Sequence, residues 1–148
     1  MSEVTSTEQK VVAQKVIDSL SVIKGIFEKH WNGEKSIDLV NIINVVPVIM
    51  ELQAQKSSFY GRSYCRHGEL SIFFNTERKW DRLLNIMEKA IDTGNMNNLY
   101  TDNSGTPTET FFDTLIDLAS YSLLWVGYVF ENHPEVFEKF IETNKLNK

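Results

Sequence analysis

The longest apolar run of the sequence, Thr106 to Glu131, carries two aspartates where a buried helix would normally carry none. Its first four residues, Thr-Pro-Thr-Glu, are typical of a helix N-terminus, and apolar residues almost all round the helix predict a central, buried element. Asp113 and Asp117 are four residues apart and share one face, with Glu109 one turn earlier and Tyr121 one turn later. Burying an ionised carboxylate is costly unless a cation or hydrogen-bond donors meet it, so this face requires a chemical partner.

The bulk properties of the chain narrow the class of protein. A length of 148 residues predicts a single domain over 1–148 with a proper core, and a net charge of -5 argues against a long nucleic acid as partner. Cys65 is the only cysteine, which excludes a disulfide framework and fits a reducing cytoplasm. The polar N-terminus does not resemble a signal peptide, and the aspartates of the apolar run argue against a membrane span. We therefore expect a soluble cytoplasmic protein.

Hydrophobic periodicity predicts an all-α fold, a helical bundle of four long helices plus a short C-terminal helix. Pro47 falls inside the second helical pattern, so we expect a kink or break near Asn44 to Val46. Two polar segments without periodicity, 56–67 and 94–105, are predicted to be a loop and a connector. The predicted helices are Thr5 to Trp31, Ser36 to about Gln55, Gly68 to Thr93, Thr106 to Glu131, and about Glu135 to Asn144.

The charged residues each admit two interpretations. Asp113 and Asp117 could hold Mg²⁺ through hard oxygen ligands, or could pair with Arg78 or Arg82. Glu109 could be a metal ligand or the acid of a capping box. Arg78, Lys79 and Arg82 lie close together, and their guanidinium and ammonium groups suit phosphate oxygens. The same cluster can also be the solvated surface of a helix. The predicted loop, with Tyr60, Arg62 and Arg66 in it, could close over a nucleotide or simply connect two helices.

Three stretches of the sequence, taken together, resemble a known family. They are KSSFYG at 56–61, RKWDRL at 78–83 and DTLIDLASY at 113–121, and the third is the most specific. In this order they resemble the "nucleotide modification associated domain 1" proteins of phages and bacteria, which are similar in turn to the all-α, MazG-like nucleotide pyrophosphohydrolases. The resemblance covers about 53–131. The N-terminal helix region, 5–33, and the short C-terminal helix and tail, 132–148, lie outside it.

The resemblance implies a MazG-like bundle that hydrolyses a nucleoside triphosphate, with a deoxynucleotide expected, to monophosphate and pyrophosphate with Mg²⁺ as cofactor. Glu109, Asp113 and Asp117 would then hold the metal, and Glu69, Asp113 and Asp117 would form the catalytic set. It also implies a cytoplasmic homodimer or higher homo-oligomer in a bacterium or phage-infected cell. The implied substrate-binding residues are Lys56, Tyr60, Arg62, Arg66, Arg78, Lys79, Arg82 and Tyr121.

Two departures from the family pattern bear on catalysis. Phe59 and Arg78 stand where the family usually has aspartates, so part of a metal site is missing, and Glu69 and Glu77 are the nearby acids that could replace it. This favours an alternative function, a non-catalytic nucleotide-binding protein such as a phage sponge that sequesters a signalling nucleotide. A third hypothesis is a protein–protein module whose apolar helix serves only as an oligomer interface.

Overall fold

The computed structural model describes residues 6–31, 37–100 and 109–146, and over these ranges the chain is all-α, without strands, as predicted. Two 3₁₀ turns, Ser63–Cys65 and Met96–Leu99, connect helices. The chain divides into two compact units, Met1–Val48 and Ile49–Lys148. The described residues form five α-helices, α1 (Ser6–His30), α2 (Ile37–Tyr60), α3 (Glu69–Asp92), α4 (Glu109–Asn132) and the short α5 (Pro134–Thr143), in agreement with the predicted four long helices and one short one.

The first unit contains α1 and the beginning of α2. Near the end of α1, the rings of Phe27 and Trp31 lie 4.9 Å apart between centroids, and Lys24 pairs with Glu28 one turn away at 3.6 Å. Contacts at this spacing are those expected between neighbours on one helix face. The first unit carries none of the candidate site residues.

The second unit is organised by the packing of α3 against α4 in antiparallel directions. Near one end the rings of Phe73 and Trp125 meet edge to face at 6.3 Å between centroids, and near the other Ala90 and Phe111 share a core cluster with Leu99. Ile72, on the side of α3 that faces α4, is completely buried. The direction of packing places the middle of α3 opposite the middle of α4, where the candidate residues lie.

The segment between α2 and α3 differs from the sequence prediction. Residues 56–60, predicted to be loop, form the last turn and a half of α2, and a short 3₁₀ turn follows. Gly61 ends the helix with φ of 56°, a left-handed conformation that glycine adopts without strain. Gly68 precedes α3 with φ of 65°, and a Cβ added there would lie 3.3 Å from the Tyr128 hydroxyl. Glycine thus allows the start of α3 to approach α4 closely.

Two further expectations from the sequence are revised. Helix α2 continues across Pro47, so the predicted break is wrong, whereas the alternative of a kink stays a prediction. Helix α4 is less buried than its composition predicted, because Phe112 and Val126 on its outer side are 59% and 55% exposed. The apolar residues of α4 thus lie on two surfaces of the helix, an inner one that packs in the second unit and an outer one that is exposed in the single chain. The predicted cap at Thr106 and the end of the 94–105 connector lie outside the described residues.

Helix α2, rather than α4, has the length and hydropathy of a membrane-crossing helix. It is 24 residues long, and 6% of its most apolar window is buried. Among the described helices it alone meets these criteria, and a single such helix is weak evidence for a membrane span. Length and composition are therefore weak grounds for a membrane span, and a membrane protein is not indicated.

Candidate functional site

The carboxylate of Asp117 lies between two lysines that come from different helices. Lys56 Nζ, from the last turns of α2, donates to Asp117 Oδ1 at 2.5 Å, and Lys79 Nζ, from the middle of α3, donates to Oδ2 at 2.5 Å. The side chains of Asp117 and Lys79 are 10% and 14% exposed, whereas that of Lys56 is 48% exposed. One carboxylate thus joins three helices, with one lysine on its buried side and one on its solvent side.

The electrostatics of this group follow from its burial and its partners. Burial is the largest single influence on Asp117 and acts to raise its pKa, but the hydrogen bonds and the positive charges of Lys56 and Lys79 together outweigh it, so the pKa is lowered. The pKa of Lys56 is raised, chiefly by its hydrogen bond to Asp117 and against some desolvation. Asp117 is therefore ionised at neutral pH in spite of its burial, and Lys56 is charged.

A pocket of about 320 Å³ opens beside Asp117. This volume lies at the lower end of the range typical of small-molecule sites. We call it the Asp117 pocket. Its walls contain a lysine ammonium group, serine hydroxyls, a glutamine amide and three tyrosine rings. It is lined by Gln53, Lys56, Tyr60, Gly61, Ser63, Tyr64, Asp117, Ser120, Tyr121 and Leu124.

The structure brings together part of the predicted site. Lys56, Tyr60, Asp117 and Tyr121 line one pocket, and Lys79 stands behind it on the other oxygen of Asp117. The sequence offered Mg²⁺ or an arginine from the preceding helix as partner for the aspartates. In the structure the partners of Asp117 are lysines, one of them from α2, which sequence reasoning did not consider.

Arg62 does not line the Asp117 pocket but an adjoining one, which shares Gln53, Tyr64, Ser120 and Leu124 with it. Its guanidinium meets the carboxylate of Glu131 in a bidentate pair, with Nη1 donating to Oε1 at 2.8 Å and Nη2 to Oε2 at 2.5 Å. Hydrogen bonding to Glu131 is the main cause of the raised pKa of Arg62, and the same contact lowers the pKa of Glu131. This arginine fastens the turn after α2 to the end of α4.

The remaining basic candidates gather on another side of α3. Arg78 and Arg82 line a larger pocket of about 680 Å³ formed with the second 3₁₀ turn. Arg66 lines a third pocket, which also contains Arg78. Glu69 is exposed in the first turn of α3 and is not among the residues that line the Asp117 pocket. The predicted substrate-binding set is therefore divided between at least two places.

The acidic candidates do not assemble as a metal cluster in the described part of the chain. Within residues 6–31, 37–100 and 109–146, no three His, Cys, Asp or Glu side chains are grouped so that they could hold a metal ion. Asp113 is exposed, yet close enough to Lys56 for its charge to help raise the pKa of that lysine. The side chain of Glu109 lies outside the described part. The Mg²⁺ site therefore stays a prediction.

Sequence reasoning missed Gln53, Ser120 and Leu124 among the lining residues. The signal was helical spacing: Gln53, Lys56 and Tyr60 are separated by three and four residues and lie on one face of α2. This face became visible only once residues 56–60 were known to be helical. On α4, Ser120 and Leu124 follow Asp117 at positions i+3 and i+7, so they continue the face that the aspartate begins.

Comparisons with known proteins place the chain near a phage protein. The sequence is 27% identical over 121 residues to the "Gene 30 protein" of Bacillus phage SP01, a match that covers 75% of this chain and 54% of that protein. The chain thus spans about half the length of this curated relative. No family model matches the sequence, and no solved structure matches it. The relative's name states no activity, and the MazG-like assignment rests on the sequence resemblance.

Proposed function

We propose that this protein binds a nucleotide in the Asp117 pocket. The observation that carries the proposal is the meeting of Lys56, Tyr60 and Tyr121 around a concave site of about 320 Å³. A lysine supplies a point charge for phosphate oxygens, and tyrosine rings supply flat surfaces on which a base can stack. Tyr60 is 71% exposed, so its ring is accessible to a ligand. The relative from a Bacillus phage supports a phage-related protein, and the role in nucleotide metabolism belongs to the proposal.

The resemblance adds a reaction to this proposal, Mg²⁺-dependent hydrolysis of a (deoxy)nucleoside triphosphate to monophosphate and pyrophosphate. Mg²⁺ is usually held by one or two carboxylates together with substrate phosphates, and Asp113 and Asp117 have the right chemistry and spacing for that. The fit is only partial, because each oxygen of Asp117 already accepts a hydrogen bond from a lysine. In the hydrolase form of the proposal, Asp113 and Asp117 hold the metal and Lys56 contacts the phosphates.

A second candidate function, nucleotide sequestration without turnover, is favoured by the state of Asp117. A carboxylate held between Lys56 and Lys79 fixes the ammonium group of Lys56 at the pocket wall, where it can meet a phosphate, and both carboxylate oxygens are already engaged by lysines rather than by a metal. Sequestration needs ligand contacts but no activated water. The two candidates share the pocket and differ in their need for Mg²⁺ and in the fate of the ligand.

The experiment that tests both is ligand binding and product analysis with a panel of deoxynucleoside triphosphates and cyclic nucleotides, each with and without Mg²⁺. Thermal shift reports binding, and mass spectrometry reports whether the ligand returns unchanged. Mg²⁺-dependent release of monophosphate, lost in Asp113→Asn but not in the control Asp38→Asn, would support hydrolysis. Saturable binding without conversion would support sequestration, and no response to any nucleotide would contradict the proposal.

The location of binding is tested by two neighbouring aromatic residues of α2. Tyr60→Leu removes a ring from the pocket, and we expect the dissociation constant of the bound nucleotide to rise about tenfold, the scale of one base–aromatic stack. Phe59→Leu is the matched control, because Phe59 is 83% exposed on the same turn but does not line the pocket. Equal affinities for the two variants would show that the nucleotide binds elsewhere.

The homo-oligomer and the cytoplasmic location remain part of the proposal. Outer apolar side chains of α4, including Phe112, Val126 and Phe130, are more than half exposed in the single chain. Burial of such a surface against a second copy would contribute about 25 cal/mol per Å² of apolar area.

A further inference from the structure

The side of α3 that carries Arg78 and Arg82 forms a pocket of its own. Its volume is about 680 Å³, and its floor includes Ala90 and Leu99, which are 5% and 4% exposed. We call it the Arg82 pocket. Polar and charged side chains of α3 surround this buried floor. It is lined by Arg78, Asp81, Arg82, Asn85, Ile86, Lys89, Ala90, Thr93 and Leu99.

The charge of this pocket opposes that of the whole protein. Arg78, Arg82 and Lys89 contribute three cations against the single carboxylate of Asp81, on a chain whose net charge is -5. Arg78 donates to Asn75 Oδ1 at 3.2 Å, and among the side chains that the structure describes no salt bridge engages any of the three cations. Neighbouring like charges repel one another, so a cluster of this kind favours binding of an anion.

The Arg82 pocket is separate from the Asp117 pocket. The two share no lining residue. Because an α-helix turns about 100° per residue, Lys79 points in a different direction from Arg78 beside it. Lys79 meets Asp117 on the α4 side, whereas Arg78 and Arg82 line the other pocket. One helix therefore presents its cations to two places, and the proposed nucleotide site does not explain the second.

The spacing of the three cations indicates the size of the anion. From Arg78 to Lys89 the helix rises about 16 Å, and long flexible side chains can converge from that distance on a ligand near Arg82. Guanidinium forks bind phosphate oxygens in pairs, and lysine adds a point charge. A single phosphate would engage only part of such a row, whereas a chain of two or three phosphates spans more of it.

We propose that the Arg82 pocket is a second anion site that takes a short polyphosphate chain, either free or as the phosphate moiety of a nucleotide. Asn85 and Thr93 supply neutral hydrogen-bonding groups beside the three cations. This site goes beyond the proposed nucleotide-binding function and does not depend on it.

The test uses inorganic tripolyphosphate as the probe and the full chain as the protein. In a titration followed by amide NMR, we expect saturable shift changes concentrated on residues 78–93 and Leu99. The double variant Arg82→Gln, Lys89→Gln should raise the dissociation constant at least tenfold, while the double variant Lys139→Gln, Lys145→Gln, at two exposed lysines in and just after α5, should stay within twofold of wild type. The charge-matched control separates local recognition from general attraction.

Each alternative outcome is recognisable. Shifts that never saturate, or equal weakening by the control variant Lys139→Gln, Lys145→Gln, would reveal only diffuse attraction and overturn the proposal. Shifts confined to residues 53–64 and 117–124 would also overturn it, while leaving the proposed function of the Asp117 pocket intact. A deoxynucleoside triphosphate titrated in parallel identifies the source of the phosphates. Shifts at Leu99 with both probes would show that the phosphate chain alone is recognised.

Discussion

Two carboxylates of α4 each meet a cation at 2.5 Å, yet they stand in different surroundings. Glu131 receives a bidentate guanidinium from Arg62, the better geometry of the two, but its side chain is 53% exposed. Asp117 receives two separate lysines and is 10% exposed. Exposed ion pairs contribute little because water already solvates both partners. A buried charge that loses its partner is left without solvation.

The comparison indicates that burial, rather than the distance between the charged atoms, determines how much each ion pair contributes to stability. The Arg62–Glu131 pair connects the turn after α2 to the end of α4 and can open into water without a large penalty. The lysines around Asp117 cannot be removed as easily, because the side-chain hydrogen bonds that the structure describes for this carboxylate come from Lys56 and Lys79, and the carboxylate lies where water is largely excluded. We therefore expect the two sites to respond very differently to the same kind of substitution.

The largest effect is expected when each carboxylate is replaced by its amide. Asp117→Asn keeps the shape of the side chain but leaves two lysine charges facing a neutral group, so we expect the free energy of unfolding to fall by about 2–4 kcal/mol. Glu131→Gln should be hard to distinguish from wild type, because its site is solvated. Urea unfolding followed by circular dichroism measures both. Equal losses for the two variants would contradict the ranking by burial.

A smaller difference should separate the two lysines of Asp117. Lys79 is 14% exposed and Lys56 is 48% exposed, so screening by water weakens the second contact more. Replacement by methionine keeps the apolar stem of either side chain. We expect Lys79→Met to lower the free energy of unfolding by about 1–2 kcal/mol and Lys56→Met by about half of that or less. Urea midpoints in the opposite order would show that the outer lysine carries the contact.

Much of this fold could be predicted from the sequence because its helices have strong apolar periodicity. The regions assigned to α1, α3, α4 and α5 were found with ends within a few residues wherever the ends are described. The last turns of α2 were missed. The segment KSSFYG is polar and ends in glycine, which is typical of a loop, whereas here Lys56 joins the helix to Asp117 from across the unit. A tertiary contact outweighs local composition in this segment.

The candidate site was only partly predictable, for a geometric reason. The sequence indicated that Asp117 must meet a cation, because a charged residue on an apolar helix face needs one. It could not select the cation, because Arg78 and Lys79 are neighbours in sequence but about 100° apart around α3. It also could not place Lys56, since the rotation of α2 about its axis depends on packing over its whole length. The sequence therefore indicated which residue types take part, but not the direction in which each side chain points from its helix.

The pH dependence of stability offers the finest test of the comparison. The pKa of Asp117 is lowered, so its stabilising contribution is present above the ordinary aspartate pKa of about 4 and is lost as the pH falls through the lowered value. The pKa of Lys56 is raised, so its contribution is present below the ordinary lysine pKa of about 10.4 and is lost as the pH rises through the raised value.

Asp117→Asn cannot titrate in the acid range, so the stability difference between wild type and this variant isolates the carboxylate. We expect a constant difference between about pH 5 and pH 9, and a smaller one at about pH 3. Urea unfolding at pH 7, 5, 4 and 3 measures it. The same series with Glu131→Gln should show only a weak change of the same sign, because Arg62 lowers the pKa of Glu131 at an exposed site. A difference for Asp117→Asn that stays constant down to pH 3 would mean that the charge of Asp117 does not hold the three helices together.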